Sequence, residues 1–464
     1  MRFLQGNCPA AGPILQINWL LLASCYFYMA LVPKYILILF AIILLDYFAA
    51  IVIEKVPVRF RKLVLVLSLV ANISFLAAFK YLSFLSDNAT SVLGLMGINV
   101  SIDLPQWILP IGLSFHTFQS MAYTIEVYRG RYPAERDLFK YALYVLFWPQ
   151  MVAGPIERPS GLLDQIRETK KFDADRITDG LRMMLIGFFK KIVVADRFGA
   201  FADQLFGAPV GQGSGLLLMG MYAFAFQIYY DFSGYTDIAI GAARASGFNL
   251  TKNFNRPYLS QSIHEFWRRW HISLSSWFRD YLYLPLGGNL HRYRNLLIVF
   301  TVSGLWHGAN WTFFIWGLVH ALYMIIGSVT AKARTRVFGG VQRYLPSAWV
   351  STYRVIIVFH LVSLAWIPFR SPSLGAAATY VRELFRFDAA RTSPIVLHYE
   401  NFTIGLLGLL VMALIAIVEN RSQVTSALAF RFRWARWTAY CCLALGLLLI
   451  GQLQARATFI YFQF

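Results

Sequence analysis

Charge is scarce in this 464-residue sequence: Asp, Glu, Lys and Arg together make up 14%, where a soluble globular chain carries about 25%. With 58% hydrophobic residues and a mean hydropathy of +0.54, the chain cannot cover a water-facing surface of this size. Cysteine is also scarce. Cys8, Cys25, Cys441 and Cys442 show no C-x-x-C spacing, which excludes a thiol metal site and leaves them as packing residues. No G-x-S-x-G turn and no Cys beside a His occur, so neither usual pattern of an activated nucleophile is present. Eight histidines are present without H-E-x-x-H or a comparable ligand cluster, and no metal is expected. Internal repeats and low-complexity tracts are lacking too. The first apolar run has no basic segment before a short apolar core, so it reads as a span and not as a cleavable leader.

What the chain has is long apolar runs, read against the roughly 20 residues a spanning helix needs. Ile14 to Pro33, Leu63 to Phe79 and Leu104 to Ile125 carry no charge, and Tyr35 to Ile53 carries only Asp46. Ser214 to Ala243 is interrupted by Asp231 and Asp237, and Asn295 to Ala331 is long enough for two short spans. Val355 to Phe369, Asn401 to Val418 and Trp437 to Ala455 follow, with Leu138 to Ala153 and Met183 to Phe206 as more polar candidates. An all-α polytopic protein of about ten to twelve helices in the lipid bilayer is expected, as one domain over residues 1–464.

The net charge of +19 does not imply nucleic acid, because the basic residues lie between hydrophobic runs. They fit the positive-inside rule. Lys55, Arg59, Arg61 and Lys62, then residues 158–197, 244–294 and 332–343, read as cytoplasmic, whereas Ser83 to Asp103 and Gly207 to Gly213 lack Lys and Arg and face outward.

Residues 253–289, NFNRPYLSQSIHEFWRRWHISLSSWFRDYLYLPLGGN, are too polar to span alone and too aromatic for a solvated loop. Trp267, Trp270, His271, Leu274, Trp277, Phe278 and Tyr281 recur at helical spacing and form one face. Ser262 and Glu265 suit a capping box, and Pro285 with Gly287 and Gly288 ends the element. An interfacial helix lying flat is one reading. His271 on the aromatic face favours a re-entrant helix dipping into a protein-lined cavity.

Residues 303–323, SGLWHGANWTFFIWGLVHALY, place His307 and His320 in a stretch without formal charge. A histidine at membrane depth marks a function or is held in helix packing. His307 sits at a break between Gly304 and Gly308-Ala309-Asn310, where backbone can approach a ligand. His320 lies on a regular apolar helix, about 220° round from His307 if the helix were unbroken, and is expected to be structural. A buried neutral imidazole can take a proton from an alcohol attacking an acyl carbonyl. General-base acyl transfer at His307 is therefore the expected chemistry.

Four strings carry a resemblance: FWPQMVAGPIERP (147–159), YYDFSGYTDIAIGAARASGFNL (229–250), residues 253–289 above, and GLWHGANWTFFIWGLVHA (304–321). Together they resemble the membrane-bound O-acyltransferase (MBOAT) family, in the bacterial branch of alginate O-acetyltransferase membrane subunits, with the motif-rich core at about 140–330. The resemblance implies the MBOAT fold, His307 as the family histidine and His271 as the second active-site position. It implies a tunnel lined or supported by Trp267, Trp270, Trp306, Asn310, Asp231, Ser233 and Asp237. It further implies no bound cofactor but an acyl-CoA donor substrate, acetyl-CoA, whose phosphates would meet Arg268, Arg269 and Lys252; those three are equally explained as positive-inside residues. A periplasmic SGNH-type acetyltransferase is the implied partner, an exopolysaccharide or cell-wall glycan the final acceptor, and the bacterial inner membrane the location. A glycan or acyl-carrier transporter without chemistry competes on helix number and buried polar groups, and D-alanyl or lipid acyl transfer competes within the family.

Overall fold

The computed structural model describes residues 13–31, 33–98, 110, 112–152, 154–342, 345–387, 397–422, 428 and 432–452. Cys8, the stretch 99–109 that begins the expected run at Leu104, Arg343, and the last expected run beyond 452 lie outside the described residues. Every regular element among the described residues is helical. Pro33–Lys55, Val58–Lys80, Trp311–Val329, Ser347–Arg370 and Tyr399–Ile417 are long and apolar enough to cross a membrane, as expected for a polytopic all-α protein.

The chain forms two compact units, residues 1–181 with 239–251 and residues 182–238 with 252–464. The first holds α1 (Pro13–Leu31), α2 (Ile36–Lys55), α3 (Val58–Lys80), α4 (Leu82–Leu95), α5 (Leu113–Tyr128), α6 (Leu138–Leu146) and the single turn α7 (Asp164–Ile166). α2 is almost wholly apolar and ends where Pro57 cannot continue it. Its one charge before the terminal Glu54 and Lys55, Asp46, is fully buried. Ser68 and Asn72 of α3 and Thr124 of α5 satisfy it, at 2.5, 3.0 and 3.2 Å, as a polar group inside a membrane protein requires. Glu157 is buried at the end of FWPQMVAGPIERP and accepts from the Thr251 N–H at 2.6 Å and the Thr251 hydroxyl at 3.1 Å. Those bonds tie the end of that string to the short link between the strings 229–250 and 253–289.

α8 (Ala174–Phe189) and α10 (Ser214–Ala245) contribute residues to both units. The second unit continues with α9 (Asp196–Gly207), α11 (Ile263–Arg269), α12 (Ile272–Phe278), α13 (Arg292–His307), α14 (Trp311–Val329), α15 (Ala331–Gln342), α16 (Ser347–Arg370), α17 (Leu374–Leu384), α18 (Tyr399–Ser422) and α19 (Arg433–Ile450). A widened π turn over Lys190–Ala195 aims two lysines at the acidic residues of α10. Lys190 pairs with Asp237 at 2.5 Å, and Lys191 bridges Asp231 at 2.6 Å and Asp196 at 2.7 Å. The interruptions in the Ser214 to Ala243 run are thereby neutralised, the usual condition for carboxylates at such depth.

The Asn295 to Ala331 run folds as the α13–α14 hairpin. Gly304 lies against Phe313 and Gly317 against Phe300, so the helices run antiparallel. A Cβ on either glycine would come within 2.2 Å of a backbone oxygen of the opposite helix. The close approach expected near Gly304 is thus to a neighbouring helix, not to a ligand; at Gly308 the space is filled by the Phe313 ring.

Candidate active site

The segment expected as one dipping helix is broken in two. α11 starts where the Ser262 hydroxyl accepts from the Glu265 N–H at 3.1 Å, and the Glu265 carboxylate reaches back to the Gln261 N–H at 2.7 Å. This capping box is displaced by one residue at its returning bond. α11 ends at Arg269, and His271 adopts a left-handed backbone with φ of 43°. The break has a physical cause in the segment before it. Asn255 N–H donates to Arg269 C=O and Ile272 N–H donates to Asn253 C=O, both at 2.9 Å. The strand-like partner competes successfully for backbone groups that a continuous helix would have used. A non-glycine residue held at positive φ is a local cost. Here it turns His271 inward, where it is 1% exposed.

Asn253 also fixes the imidazole. Its carboxamide oxygen lies 3.1 Å from His271 Nδ1 and accepts from the Ser273 N–H at 3.2 Å and the Ser273 hydroxyl at 2.9 Å. An oxygen bound by these donors sets the amide orientation, so His271 Nδ1 must be the N–H and Nε2 carries the lone pair. Asn253 is a site residue that the sequence reading did not single out. Its only signal was its place inside a matched string.

His307 is the last residue of α13, 5% exposed, with Gly308 extended beyond it. Its ring packs against Trp306 at 5.0 Å, Trp316 at 5.1 Å and Phe369 at 5.4 Å between centroids. Trp306 lies 6.3 Å from the His271 ring, so one indole neighbours both histidines. Phe232 of α10 closes on the other side of His271 at 4.7 Å. The two imidazoles come from different elements and share Trp306 as a neighbour in one aromatic-walled region.

Helical projection separated His320 from His307. The chain breaks at Gly308, so that projection does not apply, and both rings pack on Trp316 at 5.1 Å. His320 is fully buried among Phe266, Trp267, Trp316 and Trp366.

The remaining expected residues divide by location. Trp270 is 1% exposed and packs on Phe254 and Trp366 at 5.2 and 5.1 Å. Trp267 donates to His320. Asn310 caps α14 by accepting from the Thr312 N–H at 3.0 Å and donates to Pro372 C=O at 3.1 Å. Asp231 and Asp237 are held by the two lysines, with Ser233 buried between them in sequence. Arg269 pairs with Glu265, whereas Arg268 and Lys252 are exposed. The described residues contain no group of three or more His, Cys, Asp or Glu able to hold a metal ion.

Sequence comparison bears on the same residues. The family model for membrane-bound O-acyltransferases matches residues 133–365. The chain is 35% identical to the probable alginate O-acetylase AlgI of Pseudomonas putida, over 96% of this chain and 94% of that protein. It is 38% identical to the Pseudomonas aeruginosa protein of that name, over 86% and 75%. It is 32% identical to the peptidoglycan O-acetyltransferase of Helicobacter pylori, over 98% and 93%. The matched span contains the Asn253–His271 pair, the His307 hairpin and the Trp316 cluster. This multi-pass membrane chain belongs to the membrane-bound O-acyltransferase family and is an O-acyltransferase.

Proposed function

We propose that this protein moves an acetyl group from acetyl-CoA to a hydroxyl, for O-acetylation of an exopolysaccharide or cell-wall glycan, from the bacterial inner membrane. The observation that carries the reading is the pairing of two buried imidazoles, His307 and His271, in one aromatic-walled region with His271 held in a single tautomer by Asn253. Near-identical coverage of proteins named for O-acetylation supports acetyl over other acyl groups.

In this mechanism the acceptor oxygen attacks the thioester carbonyl carbon while His307 takes its proton. The C–S bond then breaks, and the departing thiolate takes that proton to leave as the free thiol. His271 presents Nε2 as an acceptor, so it orients the acceptor molecule by accepting from a second, neighbouring hydroxyl while His307 takes the proton of the attacking one. A neutral imidazole with Nδ1 committed to Asn253 cannot also donate to a carbonyl from Nε2. Arg268 and Lys252, being exposed cations on this unit, are the groups to meet the donor's phosphates, and Arg269 does so only by leaving Glu265. A periplasmic SGNH-type acetyltransferase would receive the acetyl group and pass it on.

The test is transfer of labelled acetyl from acetyl-CoA by membranes holding the intact chain, with the candidate glycan and partner supplied. His307→Ala at equal protein level is expected to reduce transfer by roughly a hundredfold or more. Undiminished transfer by His307→Ala, or no consumption of acetyl-CoA by the wild type with its partner present, overturns the reading.

A further inference from the structure

One cluster beside the proposed centre has polar atoms that the fold does not use. His320 is 0% exposed and Trp316 1% exposed. The Trp267 indole N–H donates to His320 Nδ1 at 3.3 Å. An imidazole nitrogen that accepts is unprotonated, so the proton of the neutral ring sits on Nε2. That Nε2–H has no hydrogen-bond partner among the described residues, and neither has the Trp316 indole N–H. Ser363 of α16 is also fully buried with an unpartnered hydroxyl. It lies one turn before Trp366, which stacks on Trp316 at 5.7 Å.

Buried donors are almost always satisfied, and an indole N–H in a core normally finds an acceptor. Leaving one unpaired is costly. Two such donors four residues apart on one helix, with aromatic rings around them, call for a neutral oxygen acceptor. They do not suit a charged group, since no cation accompanies them. Trp316 touches the His307 ring on one side and the His320 ring on the other. The donor pair therefore begins beside the acyl-transfer centre and extends one ring beyond it.

We propose that Trp316 and His320 are positioning residues that donate hydrogen bonds to an amide carbonyl on the thiol arm of the acyl donor, and that Trp267 sets the His320 tautomer required. The inference rests on the acetyl-CoA reading above, because the arm of that donor carries an amide two methylenes from its sulfur. His320 is then no general base: its Nδ1 is occupied and its Nε2 bears hydrogen.

The experiment compares three donors with the full-length protein in membranes: acetyl-CoA, S-acetyl-N-acetylcysteamine, which keeps the nearest amide, and S-acetylbutanethiol, which has none. Wild type is expected to prefer the amide-bearing short thioester over the amide-free one by about tenfold in kcat/KM, because a site with buried donors rejects a ligand that leaves them unpaired. His320→Phe and Trp316→Phe should each bring that ratio toward one, and His320→Gln, which restores an N–H donor, should recover most of it. A thermal unfolding midpoint for each variant separates misfolding from lost recognition; if His320→Phe fails to fold, Trp316→Phe and His320→Gln decide. A wild-type ratio near one, or an unchanged ratio in folded Trp316→Phe and His320→Phe, overturns the inference and leaves the donors to ordered water. Failure of wild type to consume acetyl-CoA overturns the functional reading and this inference with it, whereas acetyl-CoA use without amide preference overturns the inference alone.

Discussion

The carboxamide oxygen of Asn253 holds His271 Nδ1 at 3.1 Å while two bonds from Ser273 hold the carboxamide. This pair makes the left-handed break at His271 useful, since the strained backbone and the oriented ring are fixed by the same residue. Asn253→Leu removes the acceptor, frees the imidazole to rotate and leaves the Ser273 donors unpaired. Acetyl transfer is expected to fall by about a hundredfold, with Asn253→Asp retaining more activity because it keeps the acceptor oxygen. Equal activity in wild type and Asn253→Leu would show that the tautomer of His271 has no part in turnover.

The α13–α14 hairpin predicts a stability effect that carries over to activity. At Gly304 and Gly317 an added methyl group would press on backbone oxygen of the facing helix at 2.2 Å, and backbone cannot move aside as a side-chain tip can. Gly317→Ala should cost about 1–3 kcal/mol, read as a lower unfolding midpoint in detergent. Because His307 ends α13, the helix that Gly317 packs against, activity should drop in parallel. A variant as stable as wild type would contradict this packing.

Lys191 serves two buried carboxylates at once, at 2.6 and 2.7 Å. Lys191→Met leaves Asp231 and Asp196 facing each other without a cation, and the expected loss is about 3–5 kcal/mol. Replacing both carboxylates together with the lysine, as Lys191→Met with Asp231→Asn and Asp196→Asn, should recover much of it. If the triple variant is no more stable than Lys191→Met alone, the ion triad is not the source of the effect.

Glu157 supplies a pH dependence in the first unit. Burial pushes its carboxyl up to about 7 from the ordinary 4.5, against the opposing pull of the Thr251 bonds. An acid whose folded-state pKa is raised binds its proton more tightly folded than unfolded. Its contribution to stability is therefore full below pH 4.5 and is lost as pH rises through 7. Glu157→Gln should flatten the stability profile between those limits, measured by thermal unfolding across pH. A profile of unchanged slope would mean that another group titrates there.

Much of this was legible in the chain itself. The apolar runs fixed helices because lipid offers no partner for free backbone groups. Trp311 to Val329 and the turn before it could be drawn from residue order alone, as could the Ser262 cap, since both depend on neighbours within a few positions. The four strings were enough for the family, and they pointed to His307. Three features were not legible, and each is a contact that residue order and a helical pattern do not fix. A helical face running through residue 271 is a correct local pattern, but Asn253 and Asn255 take its backbone bonds and break it. The glycines beside His307 looked like room for a ligand, yet Phe313 occupies that room. A helical wheel sent His320 away from His307, and the turn at Gly308 brought both against Trp316. Sequence by itself determined where the chain is helical and which chemistry it carries, because hydropathy and motif are local properties. Tertiary structure decided which nitrogen of His271 and of His320 carries the proton and which neighbours each histidine meets, because hydrogen-bond partners come from folding distant segments together.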